Sequence, residues 1–280
     1  MTIAIAVQVH DGVVLASDSA TTLFDGNDQV VNVYNNANKI FNLKKGLPIG
    51  GLTYGMGSFG ASSISTLVKD LRRRFAGDDA AHKGWALDDE KVTVEEVCNR
   101  TREFFFDEHY KSLNIPVGTG PIFGFVVAGY SANEPLSEVW LIEINQGNCP
   151  APVRLMARGV TNAYAGGEPE VFTRLLNGHG MGLGDALKSL GMPDADVPGA
   201  VTAIGNKLGV SLVEAPMPIQ DAIDFAEFIV HTTAMFTRFK RGAATVGGPI
   251  ESAAITKHEG FKWVRRKHYF DTVLNPEGHE

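Results

Sequence analysis

Two apolar, strand-forming runs, TIAIAVQVH at 2–10 and VVLASDS at 13–19, are separated only by Asp11-Gly12. An Asp-Gly pair supplies the positive backbone angles of a type I′ turn, so the runs are predicted to fold back on each other as an antiparallel hairpin. An unbroken ladder about that turn sets Asp18 opposite Ile5, roughly 10 Å along the strand from Thr2. The hairpin begins with a hydroxyl residue, Thr2. A strand end is a poor anchor, because chain termini fray. With Met1 removed, however, Thr2 carries both a hydroxyl and a free α-amine, a nucleophile joined to its own base.

A polar, Asn-rich stretch (DGNDQVVNVYNNAN) follows, then a short strand KIFNL, a Lys-Lys-Gly turn and the apolar run LPIGGLTY, so four strands are expected before residue 55. Helical periodicity then takes over: Ile64, Leu67, Val68, Leu71 and Phe75 mark one helix, and Val94, Val97, Cys98, Thr101 and Phe105 a second. Two strands, IFGFVVAGY and EVWLIEI, precede shorter ones near 153–157 and 160–165 and a helix from about 169 to 176. The Gly- and Pro-rich stretch 177–218 is expected to hold short helices at most. A long helix through Phe225, Ile229, Thr232 and Phe236 and a last strand pair, ESAAITKH and FKWVRR, complete the order. Strands, two helices, strands, helices, strands is not the βαβα alternation of a doubly wound fold. It suits an α+β class with two antiparallel sheets covered by helix pairs. We read one domain over 1–280, with a polar tail from about 268.

Of the 280 residues 44% are hydrophobic and the formal charge is −7, which allows a sizeable core and argues against a nucleic-acid groove. The basic runs RRRF (72–75) and VRRKH (264–268) are read as solvated faces. Two cysteines, Cys98 and Cys149, are too few for a disulfide framework or a metal cluster, and Cys98 reads as core. No secretory signal and no apolar run of membrane-spanning length is visible, so a soluble, cytoplasmic protein without membrane partners is expected. No cofactor is implied.

Gly55-Met56-Gly57-Ser58-Phe59-Gly60 spells G-x-G-x-x-G between a strand and a helix. A dinucleotide site also needs a second strand ending in an acid after that helix. Here the helix runs instead into the loop RRRFAGDDAAHKGW. Glycines at such a junction can still present bare N–H groups to an oxyanion.

Taken together, T-x-A-I-A-V-x-x-x-D-G-V-V-L-A-S-D-S, then N-K-I-F, then G-G-L-T-Y-G-M-G, resembles a proteasome β-type subunit, an N-terminal-nucleophile hydrolase related to HslV and the other bacterial proteasome homologues. The resemblance runs from Thr2 to the neighbourhood of Gly60 and implies a four-layer αββα sandwich. It also implies the catalytic roles: Thr2 as nucleophile, Asp18 sixteen residues on, Lys39 held charged by that acid, and Gly55 as oxyanion donor. Thr21, Ala37, Thr53 and Gly57 would line the pocket for the residue before the scissile bond. A self-compartmentalising threonine peptidase follows, a homo-oligomeric ring acting on peptides or unfolded protein, with any ATPase partner unspecified.

The pattern also departs from that family. The stretch Ala165-Gly166-Gly167-Glu168-Pro169 lacks the auxiliary Ser. RGAATVGGPI keeps Gly247-Gly248 but places Ala243 and Val246 where an Asp and a second Ser belong, with Thr245 nearby. These departures keep two alternatives open: an assembly protein with weak or no peptidase activity, and an amidase acting on a small amide.

Overall fold

A computed structural model describes residues 2–25 and 29–271. Met1 and most of the expected polar tail lie outside the described residues. The hairpin strands are β1 (Ile3–Val9) and β2 (Gly12–Ser17); β3 (Thr21–Phe24) pairs with β4 (Val30–Tyr34) as a small separate ribbon. β5 (Ile40–Asn42), β6 (Ile49–Gly55) and a short ribbon of β7 (Ser58–Phe59) and β8 (Ser62–Ser63) lead into α1 (Ile64–Ala76) and α2 (Val94–Arg102). The chain continues through β9 (Phe123–Gly129), β10 (Glu138–Ile144), β11 (Val153–Met156) and β12 (Asn162–Gly167). Next come α3 (Glu170–Asn177), α4 (Leu183–Ser189), α5 (Val197–Leu208) and α6 (Ile219–Phe239), and the described chain ends after β13 (Glu251–Thr256) and β14 (Gly260–Arg265).

Two antiparallel five-stranded sheets organise these elements, in the orders β12-β1-β2-β13-β14 and β11-β10-β9-β6-β5. The expected α+β class is therefore what the chain adopts. Strand alternation dictates the packing. Odd residues of β1 (Ile3, Ile5, Val7, Val9) pack with Ala222, Ile223, Ala226, Ile229 and Val230 of α6. Even residues (Ala4, Ala6) join Leu52, Tyr54, Val126 and Ala128 of the second sheet. The far face of that second sheet buries Phe123, Phe125 and Ile142 against Leu67, Leu71, Phe75, Val97 and Cys98. Each fully buried Ile, Leu or Phe contributes about 1.5–3 kcal/mol of apolar transfer. Both central helices start on side-chain caps: Ser63 accepts from Thr66 N, and Thr93 from Glu96 N.

The hairpin exists, but its two-residue turn sits one residue earlier than expected. Val9 pairs with Gly12 and Ala4 with Ser17, so the turn residues are His10 and Asp11, neither at positive φ. Gly12 is required for a different reason: a Cβ there would lie 2.5 Å from the Ile255 carbonyl of β13. Three further expectations change. The Asn-rich stretch contains β3 and β4, so six strands precede or end at residue 55. The region 177–218 contains α5, a 12-residue helix. The RRRF run is not a solvated face throughout: Arg74 is buried, its guanidinium 4.8 Å from the Phe104 ring centroid and bonded to Glu108 at 2.8 Å.

Candidate functional site

The shifted register decides where Asp18 goes. Continuing the β1–β2 register sets Asp18 opposite Ile3 rather than Ile5, one residue from Thr2. Asp18 Oδ1 accepts the Ile3 N–H at 3.1 Å and the Lys39 ammonium at 2.7 Å. Its other oxygen accepts the N–H groups of Ala20 and Gly247, each at 3.0 Å. Four donors thus hold a carboxylate that is 1% exposed, and Lys39 is 4% exposed. Burial pushes the Lys39 ammonium below its ordinary value, opposed by the adjacent Asp18 carboxylate. One carboxylate oxygen of Asp18 thus touches both Lys39 and the peptide that follows Thr2.

Thr2 is anchored from both sides and is 4% exposed. Across the β1–β12 edge, Glu168 N donates to Thr2 O at 2.8 Å. Gly167 pairs with Ile3 at φ 87°, and a Cβ on it would lie 2.0 Å from Thr2 O. The stretch that lacks the auxiliary Ser therefore does arrive beside Thr2, as backbone. RGAATVGGPI arrives as well, through Gly247, whose N–H meets Asp18 and whose carbonyl accepts Ser19 N at 2.9 Å. Thr245 is buried, Val246 joins the α6 core, and Ala243 is exposed.

Gly55 ends β6 at φ 85°, where a Cβ would lie 2.0 Å from the Ile122 carbonyl. Thr53 N donates to Lys39 O, whereas Met56 N donates to Ile122 O. Alternation therefore turns the Gly55 N–H to the β5 side, beyond the last ladder bond and toward the Lys39 segment. The β7–β8 ribbon lies between Gly55 and α1, so the donor belongs to a strand end, whereas the sequence had suggested a helix N-terminus.

The four expected pocket residues have these contacts. Thr21 and Gly57 touch, since a Cβ on Gly57 would lie 2.8 Å from Thr21 Oγ1. Ala37 N donates to Ser19 O at 2.9 Å, and the Thr53 hydroxyl is committed to Gly124 O at 3.1 Å. Two surface cavities, of about 960 and 680 Å³, are lined by other residues.

Sequence reasoning missed four contributors. Gly247 acts through backbone, which carries no sequence signal, and Ser19 acts through both its backbone and its hydroxyl. Buried Glu251 and half-buried Lys267 form an ion pair behind Asp18 and Lys39. An acid heading the small apolar strand ESAAIT was the available clue. Lys267 belongs to VRRKH, so that run is not uniformly solvated. Among the described residues, no group of three or more His, Cys, Asp or Glu stands ready to hold a metal ion, and no helix is long and apolar enough to cross a membrane.

Two antiparallel five-stranded sheets with accompanying helices, and Thr2 just before β1, define an α+β protein with a buried Lys–Asp pair. No protein-family model matches the chain, and no curated protein does. Among solved structures, the chain is similar to an Anbu (Gly-1) mutant from Hyphomicrobium sp. strain MC1, with TM-score 0.52, 14% identity and coverage of 99% of this chain and 91% of that one. It is also similar to Anbu (ancestral beta-subunit) from Yersinia bercovieri, with TM-score 0.47, 14% identity and coverage of 98% and 91%. The Hyphomicrobium match shows a shared fold. These findings overturn the placement among proteasome β-type and HslV-like subunits that the stretch from Thr2 to Gly60 had suggested: no family model supports it, and the neighbour that shares the fold is an Anbu protein at 14% identity.

Proposed function

We propose that the chain is a threonine-type hydrolase that cleaves peptide bonds through Thr2, on a four-layer αββα framework of the N-terminal-nucleophile kind. The observation that carries the reading is the shared Asp18 oxygen, which ties the peptide after Thr2 to a buried Lys39. Freed of what precedes it, Thr2 has a hydroxyl that attacks the substrate carbonyl and an α-amine that takes the proton. Positive charge at Lys39 favours the neutral form of that amine. The Gly55 N–H donates to the developing oxyanion, a contact worth about 2.7–4 kcal/mol where it has been measured in other enzymes. Collapse of the tetrahedral intermediate breaks the peptide C–N bond as the protonated α-amine passes its proton to the leaving amine; the ester left on Thr2 is then hydrolysed by water, which the regenerated neutral α-amine deprotonates.

Thr21, Ala37, Thr53 and Gly57 form the substrate pocket in this reading, small and without charge. Peptides or unfolded protein are the substrates, and copies of the chain assemble into a homo-oligomeric ring. The absence of a hydroxyl in the Ala165–Pro169 stretch favours one competing reading, an assembly protein that keeps the fold without the activity. A peptide-library assay on protein whose mass shows Thr2 as its N-terminus separates the two. Hydrolysis that disappears in Thr2→Ala supports the proposal, and hydrolysis that persists in Thr2→Ala overturns it.

A further inference from the structure

Lys267 lies just beyond β14, yet its ammonium reaches the site. It donates to Ser19 Oγ at 2.8 Å and to the Ala37 carbonyl at 2.9 Å, and it pairs with Glu251. Three ammonium donors thus meet three acceptors. Glu251 is 2% exposed and brackets the same residue with its second oxygen, which accepts the Lys267 backbone N–H at 3.3 Å. In the β2–β13 ladder Glu251 stands opposite Ser17, next to Asp18.

These contacts close a ring. Ser19 follows Asp18, Ala37 stands two residues before Lys39, and Lys39 returns to Asp18 at 2.7 Å. Within the ring Ala37 N also donates to Ser19 O. We infer that Lys267, held by Glu251, is a positioning residue of the Thr2 site, fixing the turn after Asp18 and the segment before Lys39 in one geometry. The inference rests on the Thr2 reading for its kinetic consequence, but its geometry stands without it. The charged groups that face Lys39 are Asp18, Glu251 and Lys267. Lys267 and burial push its ammonium down, while Asp18 and Glu251 push it up.

The test uses the full chain with Thr2 exposed and the variants Lys267→Met, Lys267→Arg and Glu251→Gln. Kinetics on a cleaved peptide are read alongside the pH dependence of Lys39 acylation by acetic anhydride, followed by mass spectrometry. For Lys267→Met, kcat falls about tenfold or more while KM stays within about twofold, as misplacement of a reacting group requires. The acid limb of the rate profile and the Lys39 labelling midpoint both move up by about one pH unit, because a neighbouring positive charge is gone. Glu251→Gln also lowers kcat but moves the Lys39 midpoint down, and Lys267→Arg retains most of the wild-type rate. Should Lys267→Met fail to fold, the opposite-signed Glu251→Gln shift carries the test. A structural staple alone predicts a lower unfolding midpoint with kcat and Lys39 labelling unchanged, and that result overturns the inference. If the wild-type protein neither cleaves peptide nor takes an electrophile on Thr2, the Thr2 reading fails. The Lys39 midpoints then decide on Lys267 by themselves, unshifted values counting against it.

Discussion

Asp18 is the residue on which the site turns, since it accepts three backbone N–H groups and one ammonium in a buried position. Asparagine keeps the shape but cannot accept at both ends, and it leaves Lys39 without its counter-charge. Asp18→Asn should cost about 3–5 kcal/mol, the usual effect of breaking a buried pair from one side, measured by urea unfolding. The pH dependence has a definite sign. Lys39 titrates lower when folded than its ordinary 10.5, so the unfolded chain binds the extra proton between the two values. Stability therefore rises with pH through the folded-state value toward 10.5, and the rise should be larger in Asp18→Asn. Gly55→Ala meets two obstacles at once, a left-handed φ of 85° and a carbonyl 2.0 Å from the new Cβ. The conformation alone costs about 1–2 kcal/mol, and turnover should drop with stability.

Among the elements, β6 and β12 meet around one ring. Tyr54 lies against Gly124 of its neighbouring strand and Gly166 of the opposite sheet, where added Cβ atoms would come within 2.0 and 2.4 Å of it. Its hydroxyl bonds Glu143 at 2.9 Å and Tyr164 at 2.8 Å, and burial raises its pKa well beyond the ordinary phenol range. Gly166→Ala should destabilise by about 1–3 kcal/mol through overpacking. Combining it with Tyr54→Leu should recover part of that loss in a double-mutant cycle, whereas strict additivity would deny the contact. Elements were legible in the sequence where periodicity ran long: α1 buries the five residues its spacing picked out. The hairpin was legible as well, but not its register. Gly12 looked like a turn residue, yet it is glycine because β13 passes close, a long-range cause invisible to local pattern. β3 and β4 were missed because none of their residues is buried, so they lack the alternation of a half-buried strand.

At the scale of the whole molecule, the buried side chains form three clusters on and between the two sheets. Cys98 and Cys149 both lie in the cluster beneath α1 and α2. Burial pushes the Cys149 thiol up to about 11 and Cys98 higher still. Neither thiol should react with iodoacetamide at neutral pH until the chain unfolds, so labelling rate against urea should track loss of helical signal; early labelling of Cys98 would mean the α1–α2 layer opens separately. The site was only half legible at this scale. Thr2, Asp18, Lys39 and Gly55 follow one another within the N-terminal strands and share a readable spacing. Gly247, Glu251 and Lys267 come from the opposite end of the chain and meet Asp18 and Ser19 only through the sheet order β2-β13-β14.

The central claim is that Thr2 is a nucleophile with a free amine beside it. An epoxyketone, which must react with both hydroxyl and amine to form its ring adduct, tests that pairing directly by peptide mapping. The account predicts one adduct per chain on an N-terminal Thr2, lost in Thr2→Ala and slowed in Lys39→Met. A protein whose mature N-terminus is Thr2 and which remains unmodified, or is modified elsewhere, contradicts it.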